Sequence, residues 1–268
     1  MSIFQQDIFK GKVAFVTGGG SGICYGITQE LMAHGADAAI LGRKADRLSK
    51  AAQELSTKTG QRCLATPGDV REPEKVEAAL QATLDEFGRI DIVVNGAAGN
   101  FLAPAAALSY NGFKTVMAID TLGTYNVSKA AFDKYLKKNG GHILNISATL
   151  HYGATPLQTH AAAAKAAVDS ITRSLALEWG SLGIQVNGIA PGPIAETEGM
   201  MRLAPKKQKE AMVKGIPLRR FGTIKDIANA AVFLCSEAGS YVHGETLVVD
   251  GGSCIPSGMA PGFALNFT

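Results

Sequence analysis

What most constrains this chain is an alternation that runs from end to end: short apolar runs separated by helix-like segments. "KVAFVTG", "ADAAILGR", "RCLATPGDV", "IDIVVNGAAG", "GGHILNISA", "IQVNGIAPG" and "ETLVVDGG" each read as a buried strand. Between them, "SGICYGITQELMAHG" and "KADRLSKAAQELSTKTG" read as helices ending at glycine, and "PEKVEAALQATLDEFG" as a helix with proline near its start. A long helix spans Ala161 to Trp179. Alternation of this kind predicts an α/β fold, a doubly wound parallel sheet with helices on both faces. No linker, repeat or low-complexity tract interrupts it, so residues 1–268 read as a single domain. The stretch "PGPIAETEGMMRLAPKKQKEAMVKGI", residues 191–216, departs from the pattern. It is helical-looking and would lie over the carboxyl edge of the sheet, where a helical substrate lid belongs.

Composition removes several classes of function. The 268 residues are 46% hydrophobic, which supports a sizeable core. A net charge of +3 is too weak to argue for nucleic acid. Cys24, Cys63, Cys235 and Cys254 lack CxxC or CxxH spacing, so neither a metal site nor a disulfide framework is expected, and a reducing compartment fits. No apolar run is long enough to span a bilayer, and "MSIFQQDIFKGK" has no signal-peptide core. The chain ends Asn266-Phe267-Thr268 rather than in an SKL-type peroxisomal address.

The first strand runs into "VTGGGSGIC" at a helix start. Glycine lets backbone approach a pyrophosphate, and a helix N-terminus favours its charge. Gly18, Gly20, Ser21, Gly22 and Ile23 are therefore candidate dinucleotide contacts, and Cys24, in the last glycine position, is expected to pack as a small hydrophobe. The second strand decides which dinucleotide. An NAD site wants a carboxylate near its end, whereas this strand ends "ILGRK". Arg43, with Lys44 behind it, would meet a ribose phosphate, which points to NADPH. Asp69 after the third strand can accept from an adenine amine, with Val70 beside it. "NGAAG", including Asn95 and Ala97, offers little bulk as a floor for ribose and nicotinamide.

Together these motifs resemble the short-chain dehydrogenase/reductase family over essentially the whole chain, which implies a Rossmann-type domain. The resemblance puts Pro191, Gly192, Ile194 and Thr197 of "PGPIAET" beside the nicotinamide carboxamide. It also exposes a departure. The family's Asn-Ser-Tyr-Lys tetrad falls on Asp120, on Ala148 (with Ser147 adjacent), on Ala161 and on Lys165. Only the lysine is kept, and a methyl group cannot supply the proton that an alkoxide needs.

One branch of the family, the 2,4-dienoyl-CoA reductases of the peroxisomal type, is similar to this sequence in "GAAGNFLAPAAALSYNGFKTV", "ATLHYG…QTHAAAAKAAVDS" and "APGPIAETEG". That likeness implies hydride delivery from NADPH to a conjugated dienoyl-CoA thioester, a dienolate rather than an alkoxide, and a 3-enoyl-CoA product of fatty-acid metabolism. Asp120 would position or relay the proton through water, and Lys165 would bind the nicotinamide ribose. The alternative for Asp120 is a packing or capping carboxylate. Tyr152, on the loop after the fifth strand, is another candidate for the lost phenol, while His160 should turn off the face of Lys165. Arg71 and Arg202 are candidate cations for coenzyme A. The resemblance lines the acyl path with Phe101, Ser109, Tyr110 and Asn111. It further implies a homotetramer, built in part through the flat Ala161–Ala167 helix face, and a peroxisomal protein, against which stands the C-terminus noted above; otherwise the cytoplasm is expected. Two other readings stay open. One is a related reductase of secondary metabolism acting on another conjugated carbonyl. The other is a non-catalytic dinucleotide-binding protein, against which the kept Lys165 and phosphate loop argue.

Overall fold

The computed structural model describes residues 3–195, 197 and 206–255. Seven strands form one parallel sheet: β1 (Val13–Thr17), β2 (Asp37–Gly42), β3 (Cys63–Pro67), β4 (Ile92–Asn95), β5 (Gly141–Ile146), β6 (Ile184–Pro191) and β7 (Thr246–Val249). Their order is β3-β2-β1-β4-β5-β6-β7. All seven runs read from the sequence are strands, and the doubly wound sheet is the one expected.

Neighbouring residues of a strand face opposite layers, and each layer has its own core. Ala14 and Val16 of β1 pack on one side with Ile27 and Leu31 of α1 (Gly22–Ala33) and Leu48 and Leu55 of α2 (Ala45–Thr59). Phe15 between them packs on the other, with Val76 and Leu80 of α3 (Pro73–Phe87). Each buried Leu, Ile or Phe contributes roughly 1.5–3 kcal/mol. The helices α2 and α3 stop where glycine was expected, at Gly60 and Gly88, each with φ of +75°.

Between β4 and β5 the chain forms helical turns that the sequence reading does not name: α4 (Tyr110–Met117), α5 (Gly123–Ala131) and α6 (Lys137–Asn139). A π-helical turn at Ala118–Leu122 joins the first two. The long helix α7 (Thr159–Trp179) begins two residues earlier than predicted, which places His160 in its first turn. Then come α8 (Lys206–Gly215) and α9 (Ile224–Cys235), the latter packed on the α1 layer through Ile227 and Ala231. Among the described residues no helix is long and apolar enough to cross a membrane.

Register decides where the site lies. Thr17 pairs with Leu41, Val16 with Val94, and Ile146 with Ile189. The carboxyl ends of β1, β2, β4, β5 and β6 therefore open on one edge. The sheet reverses its winding between β1 and β4, and that crevice is where ligands of such sheets sit.

Candidate active site

A cavity of about 1400 Å³ occupies that edge. Its floor is the turn after β1. Gly18, at φ +71°, lies so near the β4 loop that a Cβ there would meet the Gly96 carbonyl oxygen at 2.9 Å. Thr17 ties the two loops, its hydroxyl accepting from Gly96 N at 3.0 Å and Ala97 N at 3.1 Å. Ser21, Gly22 and Ile23 line the cavity at the N-terminus of α1, and Ser21 makes no capping bond with its side chain. The first N–H groups of that helix are thus left for another acceptor. Exposed Arg43 reaches the same cavity from the end of β2. Cys24 packs in the core, as expected, and burial pushes its thiol up to about 12, so it stays protonated.

Opposite this floor stands a buried ion pair. The π turn carries Asp120, 1% exposed, into the cavity wall. Its Oδ1 accepts from Gly99 N at 2.7 Å, and its Oδ2 lies 3.1 Å from Lys165 Nζ. Lys165 also donates to the Ile146 carbonyl at the end of β5, at 2.9 Å. The ammonium is thus held between a carboxylate and a carbonyl. Ala148 from β5's loop and Ala161 one turn before Lys165 on α7 put methyl groups on the wall, with Ser147 and Thr149 flanking Ala148. The adjacent Ser147 is buried, and its hydroxyl donates to the Lys165 carbonyl at 3.4 Å.

Residues 18–253 match the family model described as enoyl-(acyl carrier protein) reductase. The chain belongs to the short-chain dehydrogenase/reductase family. It is 52% identical, over 95% of its length and 85% of the relative's, to the peroxisomal 2,4-dienoyl-CoA reductase, (3E)-enoyl-CoA-producing, of Danio rerio. The enzyme of the same description from Saccharomyces cerevisiae is 50% identical, over 93% of this chain and 86% of that one. Among solved structures, the 3-ketoacyl-(acyl-carrier-protein) reductase of Brucella melitensis in complex with NADH superposes with a TM-score of 0.84. It is 30% identical, and the match covers 92% of this chain and all of the other.

Within this family member several expected residues stand elsewhere. Asn95 turns into the helix layer, its amide donating to Ser128 Oγ at 2.9 Å and Asn145 Oδ1 at 2.8 Å. Ala97 and Val70 likewise give their side chains to the core, and the Val70 carbonyl accepts from Asn126 Nδ2. Asp69 is engaged by Arg71 through two guanidinium bonds, of 3.0 and 2.6 Å. The guanidinium holds that carboxyl below its usual range, and Arg71 stands outside the lining of the cavity. Ser109 caps α4 by accepting from Gly112 N at 3.0 Å, leaving Tyr110 and Asn111 in solvent and off the cavity. Tyr152 points behind the wall, where its hydroxyl donates to Asp169 at 3.3 Å. Burial, and then that carboxylate, raise the phenol's pKa well above its usual range, so it is a poor substitute acid. Lys44 is exposed at the start of α2, and Gly20 backs onto Leu48. Arg202 lies outside the described residues.

The cavity does hold Phe101, Pro191, Gly192, Ile194 and Thr197. Phe101 lies against His160, ring centroids 4.3 Å apart, and both His160 ring nitrogens are buried without a partner. Sequence reasoning missed Thr115, Val116 and Ile119, which line the cavity one and two turns beyond the "SYN" start of α4. It placed the loop after β5 at the site through Tyr152, whereas Thr149, Leu150 and Gly153 to Gln158 are the residues of that loop that line the cavity. Met212 of α8 falls in the stretch expected as a lid, and Ser253 to Ile255 were missed. A signal for the last group was available. Asp250 in "DGGSC" folds the turn by accepting from Gly252 N, Ser253 Oγ and Cys254 N. Among the described residues no group of three or more His, Cys, Asp or Glu is arranged to hold a metal ion.

Proposed function

We propose that this chain is an NADPH-dependent 2,4-dienoyl-CoA reductase that yields 3-enoyl-CoA in the breakdown of unsaturated fatty acids. One observation carries the reading: a buried Asp120–Lys165 pair faces a large cavity whose phenol and hydroxyl positions are methyl groups. The activities for which the relatives in fish and yeast are named support it.

The residues present fit a dinucleotide. Gly18 admits close backbone approach, the α1 N-terminus offers N–H groups to a pyrophosphate, and Arg43 offers a guanidinium to a ribose phosphate. Lys165, held at the cavity wall, would donate to the nicotinamide-ribose hydroxyls. Reduced nicotinamide supplies the hydride that the conjugated chain accepts at its δ-carbon.

The protein's own groups then handle charge and proton. Electron density arriving at the δ-carbon runs through the diene to the thioester oxygen, so the transition state is stabilised by positive potential at that end. Lys165 supplies such potential inside a wall of low polarity. With Oδ1 accepting from Gly99 N and Oδ2 paired to the Lys165 ammonium, Asp120 is held where it can orient a water. That water protonates the α-carbon, and the hydroxide it leaves takes up a proton from solvent through the mouth of the cavity. No alkoxide forms, so a methyl at Ala161 costs nothing and leaves room for the thioester.

Of the stretch expected as a substrate lid, Ile194, Thr197 and Met212 stand on the cavity wall, while residues 196 and 198–205 lie outside the described residues. Assembly is as a homotetramer paired along the small-residue face of α7, and residence is peroxisomal, as for the named relatives. Mixing the protein with NADPH and a 2,4-dienoyl-CoA, with the product's double bond located by mass spectrometry or NMR, tests the proposal. A 3-enoyl product supports it. No oxidation of NADPH, or reduction only of another conjugated carbonyl, would overturn it.

A further inference from the structure

The loop that leaves β5 has two sides. Thr149 and Leu150, and then Gly153 to Leu157, form one wall of the large cavity. The two residues between them, His151 and Tyr152, face the other way. They enter a separate hollow of about 310 Å³, which Arg173, Glu245 and Thr246 also line. Both converge on one atom: Asp169 Oδ2 receives His151 Nε2 at 2.7 Å and the Tyr152 hydroxyl at 3.3 Å. Asp169 is 3% exposed, and it stands one helical turn beyond Lys165 on α7.

We infer that Asp169 is a positioning residue for the reductase reaction, holding the 149–157 wall in place through His151 and Tyr152. The inference rests on the reading that an acyl thioester fills the large cavity. Its basis is the division of labour along α7. Lys165 grips the end of β5 at the Ile146 carbonyl, and Asp169 grips the loop that continues from it. One rigid helix thus fixes both the charged pair and the wall facing it. A buried carboxylate is costly without strong partners, and this one spends its bonds on a single surface loop.

The rest of the cluster shows how narrow the attachment is. Asp169 Oδ1, His151 Nδ1 and Thr246 Oγ1 are all buried without a protein partner around the hollow. From behind, the wall is held by two hydrogen bonds to one oxygen beside a polar void, and its far end is tied separately where the Leu157 carbonyl accepts from Ala103 N at 2.9 Å. Removing that oxygen frees the wall without opening the main hydrophobic clusters, to which His151, Tyr152 and Asp169 do not belong.

The test is steady-state kinetics with NADPH and a 2,4-dienoyl-CoA, alongside hydrogen exchange. Asp169→Ala should raise KM for the acyl-CoA about ten- to a hundredfold, the worth of a lost charge-assisted bond. Its kcat and its Kd for NADPH should stay close to the parent's. Asp169→Asn keeps an acceptor for the His151 N–H and should recover most of the KM. Tyr152→Phe should raise KM less than Asp169→Ala does, and should add nothing in the Asp169→Ala background. Amides 149–157 should exchange faster in Asp169→Ala while those of α7 do not. A folded Asp169→Ala with parental KM and parental exchange overturns the inference. So does a variant in which NADPH affinity falls in step with KM, because that marks a general structural fault. If the parent enzyme does not reduce dienoyl-CoA, the functional reading fails separately, and loop exchange still decides what Asp169 holds.

Discussion

Asp120 is a carboxylate in a place where a carboxylate is expensive, and its two donors explain how it is tolerated. Gly99 N and the Lys165 ammonium each take one oxygen. Asp120→Asn preserves shape and one acceptor but removes the charge that orders the water. Turnover should fall by about 10²–10⁴-fold, the usual range for a lost acid-base group, with a much smaller change in NADPH affinity. It should also lower the melting temperature, because the Lys165 ammonium is left buried without its anion. Ala161→Tyr tests the complementary point. The new phenol would enter the cavity beside Lys165, so dienoyl-CoA turnover should fall or stay flat; a gain would show that the missing acid is limiting. On the cofactor side, Arg43→Ala should weaken NADPH by roughly 1.5–3 kcal/mol and leave NADH nearly untouched, as titration of each nucleotide would show. Equal affinities of the parent protein for both would remove that role from Arg43.

At the scale of elements, α9 shows how a loop beside the site is fixed. Thr223 and Asp226 form a reciprocal capping box, with Thr223 Oγ1 accepting from Asp226 N and Asp226 Oδ2 accepting from Thr223 N. Thr223→Ala should cost about 1 kcal/mol in urea unfolding. Arg220, first among the causes, holds the Asp226 carboxyl near 2 rather than 3.8. A carboxyl whose pKa is depressed on folding adds stability above its unfolded value and loses it as pH falls through the folded one. The acid limb of the stability curve should therefore run from about pH 4 toward 2, and Asp226→Asn should flatten it. A parental acid limb in that variant would assign acid unfolding to other groups. Elements of this kind are also where the sequence was readable. Alternating apolar runs and glycine stops revealed the seven strands and the ends of α2 and α3. Gly18 and Arg43 followed from their places at strand ends. Lys165 and Asp120 followed from the family motif. Other placements depend on facts that no local pattern carries. The π turn at Ala118–Leu122 sets which face of the α4–α5 stretch meets the cavity. Ser109 proved to be a cap, and Asn95 points into the helix layer because of its strand parity. Tyr152 turns away because Asp169, 17 residues later, receives it.

For the whole molecule, one face of α7 remains outside both cores. Ala166 and Ser170 are exposed on it, and Leu177 is 87% exposed. A flat, small-residue helix face ending in an exposed leucine suits close pairing with a symmetry mate. Light scattering at micromolar concentration should give a mass near four times 27.9 kDa. A monomer at that concentration would contradict the assembly. The site reduces a conjugated thioester without a phenol, and so lacks what a ketone needs. The most direct measurement gives the parent enzyme NADPH with either a 2,4-dienoyl-CoA or a 3-oxoacyl-CoA of the same chain length, and follows NADPH absorbance. Rapid oxidation is expected with the dienoyl-CoA and none above background with the ketone. Ketone reduction at a comparable rate, or a dienoyl-CoA left unreduced, would contradict it.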